Sequence, residues 1–458
     1  MRVRWFLPWF IIAGLLLSAC ESNYAEQTLT NPPTQVQTAQ FVNQPTPPDI
    51  LQPVLSRTQL IPGFEINEPY EIPAPAKDPL GLVRVGLLLP LSGPSEDVGQ
   101  ALLNAAQMAL FDVGDDRFVM QPYDTRGTPE GAAAAAAVAV AHGVQVLLGP
   151  VFSASAKAVI PQAKAAGINI IPFTTDPSVA APGVFVMGFL VHEQVRRIIG
   201  FSLDQGINRF AVLAPATPYG ETVVDALKQI LSQTSGHLAR MEYYDASGSN
   251  LDDVVRKFAD YDRRHNALLA QRAALEARND AASRSALQRL ERLDTIGDVP
   301  FDAVLLPEQG GRLTEVAALL PFYDVDPARV QLLGTLLWHA AGLGKEPALV
   351  GGWYPAPSPQ ANAKFYSRYQ VLYGETPPPI ATHGYDAVAL AAMLGRTRPD
   401  QPFSALALAS PSGFAGVDGV FRLLPTGMSE RGFSVLEVTR DGTDTIDTAP
   451  TTFEAAQF

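Results

Sequence analysis

The chain has 458 residues, 47% hydrophobic and 17% charged, which is enough apolar material for a sizeable core. Its 46 acidic and 33 basic side chains give a formal charge of −13, which argues against nucleic-acid binding because phosphate contacts need clustered Lys and Arg. The one cysteine, Cys20, rules out an internal disulfide.

At the N-terminus, Arg2 and Arg4 precede "WFLPWFIIAGLLLSA", an apolar run too short and too abruptly ended to span a bilayer. The closing "LSAC" resembles the lipobox of bacterial lipoproteins. That resemblance implies a signal peptide over residues 1–19, cleavage before Cys20, and acylation (palmitate among the chains) of the cysteine's sulfur and new amino group. An ordinary signal peptide before an incidental cysteine is the other reading. Glu21 stands where enteric lipoproteins kept at the inner membrane carry aspartate, so the resemblance implies the outer membrane, facing the periplasm. Each buried methylene contributes about 0.8 kcal/mol, so several chains make a durable anchor. Residues 21–79 hold eleven prolines, many Gln and Thr, and no sustained periodicity. Proline fixes φ and removes donors, which predicts an extended, largely disordered linker with a root-mean-square reach of roughly 40 Å.

From residue 80 the pattern changes. "LVRVGLLLPLSG" reads as a buried strand, "VGQALLNAAQMALFDV" has helical spacing, and "FVMQPYD" is a strand. "TPEGAAAAAAVAVAHG" carries Thr128 as cap, Pro129 at the first helical position and Gly143 as stop. "VQVLLGP", "SASAKAVIPQAKAAG" and "INIIPF" continue the alternation, as do "RFAVLAPATPYGETVVDALKQILSQ", "HLARMEYYD", "FDAVLLPEQGGRLTEVAALLPFY" and "VQLLGT". Strands alternating with such helices imply βαβ units on parallel sheets, and one sheet seldom organises much beyond about 250–300 residues, so two lobes are expected.

"VRVGLLLPLSGPSEDVGQALLNAAQMAL", "YDTRGTPEGAAAAA", "QVLLGPVFSASAKAV", "IIPFTTDPSVA" and "PYGETVVDALK" resemble the type I periplasmic-binding-protein fold, especially its leucine- and amide-binding branch. The resemblance covers about residues 82–440 and implies an α/β chain of two lobes joined by three crossings around a cleft. Carried over, lobe one takes residues 80–190 and 355–412, and lobe two takes 191–354 and 413–448. "PFDAVLLPEQGGRL", "VQLLGTLLWH", "ALVGGWYPAP" and "GYDAVALAA", together with the lipobox and linker, are most similar to the penicillin-binding protein activators. That family implies an outer-membrane lipoprotein stimulating a bifunctional peptidoglycan synthase in cell-wall synthesis. Its enterobacterial member carries a helical-repeat domain where this chain has the Pro-rich linker.

The resemblance to amino-acid-binding relatives puts Ser153 and Ser155 of "GPVFSAS" at a helix N-terminus suited to a ligand carboxylate. Thr174 and Thr175 of "PFTTDP" lie in the next loop, while Tyr219 and Glu308 face them across the cleft. The same residues also fit plain roles: Ser153 and Ser155 as caps, Thr175 as a turn former, Glu308 as a solvated carboxylate. An unoccupied cleft thus stays open beside an occupied one. Residues 251–298 interrupt the alternation with a charge-rich helical insertion, and "ARND" could fold one helix back on another. Between Arg256 and Asp294 nine basic and six acidic residues make +3. The hairpin is either a solvated face or a partner-docking element, with Arg263, Arg264, Arg272 and Arg278 as rim contacts to carboxylates.

No enzyme motif stands out. His192 in "HEQVR" lacks the second histidine of a zinc-protease helix, no nucleophile elbow, P-loop or dinucleotide fingerprint is present, and six scattered histidines make no closed metal site. Asp124 and Asp386 read as turn or helix-start residues. The expectation is a non-catalytic protein without cofactor or metal. Two functions fit: an activator of a penicillin-binding protein, or a lipid-anchored solute-binding protein delivering an amino acid or amide to an ABC transporter.

Overall fold

The computed structural model describes residues 81–453, apart from 279, 341 and 399. Cys20, the signal peptide and the linker lie outside the described residues. A first run of strands and helices comprises β1 (Val83–Leu89), α1 (Glu96–Val113), β2 (Phe118–Asp124), α2 (Pro129–Ala141), β3 (Val146–Leu148), α3 (Ser153–Ala165) and β4 (Asn169–Ile171). The four strands form a parallel sheet in the order β2-β1-β3-β4. The Thr128 side chain accepts from Gly131 N and Pro129 occupies the first turn of α2, so local chemistry starts that helix where the sequence predicts.

The second run is α4 (Val191–Asp204), β5 (Arg209–Pro215), α5 (Pro218–Leu231), β6 (His237–Tyr244), α6 (Leu251–Phe258), α7 (Tyr261–Arg278), α8 (Ala281–Leu290), β7 (Ala303–Leu306), α9 (Gly310–Phe322), β8 (Gln331–Gly334) and β9 (Trp353–Ala356). Then follow α10 (Pro359–Tyr373), α11 (Ala381–Thr397), α12 (Ala405–Leu408), β10 (Phe414–Gly416), β11 (Gly419–Leu423), β12 (Ser429–Arg431), β13 (Ser434–Thr439) and β14 (Gly442–Asp447). Seven strands make the second sheet, β14-β13-β9-β8-β7-β5-β6, parallel from β9 to β6 and antiparallel through β13 and β14. This is the expected α/β architecture of parallel sheets flanked by helices.

Each sheet is covered on both faces. Leu87, Leu89, Val146 and Leu148 pack with Leu102 and Ala106 of α1 and with Val388 and Ala391 of α11. Leu88 and Leu147 face Ala132, Ala136 and Ala139 of α2. In the second lobe, Val304 and Leu306 pack with Val255, Phe258 and Val316, while Val212 and Leu305 meet Ile198, Val223 and Leu227. Alternate strand residues thus feed opposite cores, which is why these strands read as continuous apolar runs. The helices α1 and α11 meet closely at Gly384, where a Cβ would lie 2.4 Å from Leu102 O.

Residues 413–448, expected wholly in lobe two, divide between the lobes. Phe421 and Leu423 of β11 are buried in the first lobe's core, whereas Val435, Leu436 and Val438 of β13 belong to the second. The small β10-β11-β12 sheet offers the first lobe an apolar face before the chain crosses back, and that packing joins segments far apart in sequence.

Candidate functional site

In open α/β sheets ligands are met beyond the carboxyl ends of the strands. On the first lobe those ends carry Asp124, Ser153, Ser155, Thr174 and Thr175. Gly149, at φ +83° and with a Cβ position only 2.3 Å from Leu88 O, lets the chain turn tightly from β3 toward α3. The N-cap of α3 is Phe152, which makes no side-chain cap bond, so neither serine caps this helix. Ser153 is half-buried on the first turn. Ser155 is 1% exposed and its hydroxyl has no hydrogen-bond partner. A buried hydroxyl beside the unsatisfied N–H groups of a helix start can receive an anionic group. Thr174, rather than Thr175, orders the next loop: its hydroxyl accepts from Asp176 N at 3.1 Å, while Thr175 is exposed. Asp124 closes its own turn, accepting from Leu91 N, the Ser92 hydroxyl and Arg126 N.

On the second lobe the candidate groups are already engaged. The Tyr219 hydroxyl, on the first turn of α5, donates to Thr335 Oγ1 at 2.9 Å, and burial pushes its pKa up. Glu308 is not a free solvated carboxylate. Its Oε2 accepts from the Tyr244 hydroxyl at 2.6 Å, and its Oε1 accepts from Gln309 N. Burial, then the Glu308 carboxylate, raises the pKa of Tyr244, so its phenol stays protonated and keeps donating. Trp338 is fully buried near this rim and donates from Nε1 to Leu306 O at 3.1 Å.

The insertion forms a helical hairpin, with Asp280 capping α8 by accepting from Ser283 N at 2.7 Å. Its four arginines divide. Arg264 is 6% exposed and donates to Gly297 O, Asp324 O and, at 3.4 Å, Ala259 O. Arg272 donates to Leu290 O and Leu293 O, tying α7 to the end of α8. Both are committed to carbonyls left at helix and loop ends, Arg264 also to the Asp324 carboxylate at 3.4 Å, which corrects the expectation that all four are rim contacts. Arg263 and Arg278 are exposed, paired with Asp260 and Asp280.

A buried ionic group at the joint between the lobes is one that sequence reasoning missed. Asp386 is 3% exposed on α11, Asp418 2% exposed in the β10–β11 turn, and Arg431 6% exposed at the end of β12. Asp386 is therefore not a helix-start residue. Its Oδ1 accepts from Val417 N at 2.7 Å, and its Oδ2 lies 3.6 Å from Arg431 Nη1. The signal was present in a carboxylate flanked by apolar residues in "GYDAVALAA", but its partners come from distant segments. Among the described residues, no group of three or more His, Cys, Asp or Glu is placed to hold a metal, and no helix is long and apolar enough to cross a membrane.

Two parallel sheets flanked by helices give the chain the architecture of a type I periplasmic binding protein. It belongs to the Periplasmic binding protein family, which matches residues 82–443. Among solved structures, a candidate branched-chain amino acid ABC transporter protein from Rhodospirillum rubrum superposes with TM-score 0.64 at 20% identity, covering 80% of this chain and 100% of that one. The C-domain of LpoA (YraM) from Haemophilus influenzae, a regulator of PBP1A, gives TM-score 0.57 at 15% identity over 79% of this chain and 99% of that domain. At these identities the likeness is one of fold. An uncharacterized protein of Rickettsia prowazekii (strain Madrid E) is 28% identical over 178 residues, 39% of this chain and 47% of the relative, so the match spans about half of the relative's length. The matching family is one of binding proteins.

Proposed function

We propose that this is a non-catalytic envelope lipoprotein, anchored in the outer membrane through Cys20 and facing the periplasm, that binds and activates a bifunctional peptidoglycan synthase of the penicillin-binding protein class. The observation that carries this reading is the state of the second lobe's rim. Tyr219 has spent its one O–H on Thr335, and Glu308 is held by Tyr244 and Gln309 N, so both groups are built into the lobe's own network, with only leftover lone pairs to offer a ligand's α-amino group. A typical intramolecular bond is worth about 0.5–1.5 kcal/mol, more when charged. The exposed Arg263 and Arg278 on the hairpin are the groups we assign to a carboxylate-bearing partner surface, and the lipobox and Pro-rich linker supply anchor and reach. The likeness to the LpoA C-domain supports the same reading.

A second reading, a lipid-anchored solute-binding protein feeding an ABC transporter, is favoured by one observation: the buried, unpartnered Ser155 hydroxyl at the start of α3. Calorimetric titration of the protein with the free amino acids and their amides separates the two. The activator reading expects no heat of binding; saturable micromolar binding that is lost in Ser155→Ala would overturn it.

A further inference from the structure

Arg431 ends β12 three positions before β13 enters the second lobe's sheet. Its guanidinium lies over the rings of Phe189, 4.9 Å from the centroid, and Phe421, 5.1 Å away, and its Nη2 donates to Met187 O at 3.4 Å. Phe189 belongs to the other crossing segment, which leads to α4, and it packs edge-on to His383 of α11 at 4.7 Å and against Phe433 at 5.9 Å. One arginine therefore touches two chain crossings and faces a carboxylate of the first lobe. The charges around it do not balance. Asp386 Oδ2 lies 3.6 Å from Arg431 Nη1, and Asp418 is within Coulombic reach of Arg431 and beside the Thr382 hydroxyl, yet Asp386 Oδ2, Asp418 Oδ2 and Arg431 Nη1 are buried without a hydrogen bond of ordinary length. Asn362 of α10 donates to Asp418 Oδ1 at 3.2 Å.

The other titratable groups facing the pair are His383 and Tyr385 on α11, Tyr366 on α10, and His339 from the second lobe. None supplies a compensating charge near neutral pH. Burial, then Arg431, holds His383 well below the usual histidine range, burial lowers His339, and burial raises both tyrosines. With both aspartates ionised, a dry site would hold two anions and one cation, and an uncompensated buried charge is costly.

We propose that Asp386, Asp418 and Arg431 form a proton-linked latch at the joint: one proton held within this group, on Asp386, keeps the crossing segments packed around Arg431, and its loss loosens them. Burial is the main cause that lifts Asp386 to about 7, Arg431 opposing and Asp418 reinforcing it, and burial raises Asp418 as well. Hydrating the joint returns these groups toward the ordinary aspartate value of 3.8. The sign follows from linkage. A carboxyl raised in the tight state binds its proton there more strongly, so that state is favoured at low pH. The advantage falls up to about tenfold per pH unit as pH rises from about 4 toward 7, then levels off. The latch requires neither a solute nor a synthase, so it stands apart from the proposed function.

The test is hydrogen exchange of the full chain between pH 5 and 8, corrected for intrinsic rate, read at residues 186–190 and 430–434. We expect protection there to fall more than tenfold over this range while the sheet cores stay unchanged. In Asp386→Asn, which keeps a neutral side chain of the same shape, the fall should be absent. Asp418→Asn removes the repulsion and should move the fall to lower pH, which keeps the test decisive if the first variant folds poorly. Protection that is flat with pH in the natural chain, or a fall that persists in both variants and vanishes only in His383→Gln, overturns the proposal.

Discussion

Replacing Arg264 with Met separates the structural from the partner-facing arginines of the hairpin. Arg264 is 6% exposed, and its guanidinium donates to Gly297 O at 3.0 Å, Asp324 O at 3.0 Å and Ala259 O at 3.4 Å. Methionine keeps much of the stem and removes every donor. A buried carbonyl that loses its partner costs about 1–3 kcal/mol, whereas Gly297, on an exposed loop, can rehydrate. The desolvation cost of the guanidinium, which lowers its pKa in place, is relieved at the same time. The net expectation is a loss of about 2–4 kcal/mol, felt first as detachment of α7 from the loops at 295–298 and 324. Chemical denaturation gives the magnitude, and limited proteolysis shows whether cleavage begins in the hairpin. Arg263→Glu, at an exposed ion pair worth no more than about 1 kcal/mol, should leave stability nearly unchanged and weaken partner capture. If Arg264→Met is as stable as the natural chain, or if Arg263→Glu unfolds it, the division of the arginines is wrong.

Other perturbations follow from single contacts. Trp338→Phe loses the bond to Leu306 O and leaves a void at a fully buried position, so calorimetry should show a loss of about 2–4 kcal/mol. Gly384→Ala puts a methyl 2.4 Å from Leu102 O and forces α1 from α11, costing about 1–3 kcal/mol by denaturant melts; an unchanged midpoint would mean the helices part freely. Ser155→Ala removes a buried hydroxyl that has no partner, so stability should hold or rise within about 1 kcal/mol; a marked loss would reveal a bond made in solution.

The architecture was legible because its signals are local. Apolar runs such as Val85–Leu89 mark strands covered on both faces, Thr128 and Pro129 start a helix by their own chemistry, and "ARND" breaks the hairpin where Asp280 caps α8. The functional groups were legible as residue types but not in their commitments. That Glu308 meets Tyr244, or that Arg264 reaches the carbonyls of Gly297 and Asp324, depends on loops brought together by the fold. Helical spacing does separate Arg264, three after Tyr261 and four before Leu268, from Arg263, but periodicity assigns faces and cannot say which loop will cover one. The joint was least visible for the same reason. Asp386 and Arg431 come from a helix and a strand that share no local pattern, and the β10-β11-β12 sheet reaches the first lobe through Phe414, Phe421 and Leu423, far in sequence from the core they join.

The central claim concerns a partner, and the most direct measurement is crosslinking within the intact envelope using the full lipidated chain. Captured proteins are identified by mass spectrometry. The account predicts a penicillin-binding protein of the bifunctional synthase class, with capture diminished by charge reversal at Arg263 and Arg278. Recovery of an ABC permease with no cell-wall synthase would contradict it and make Ser155 the residue to follow.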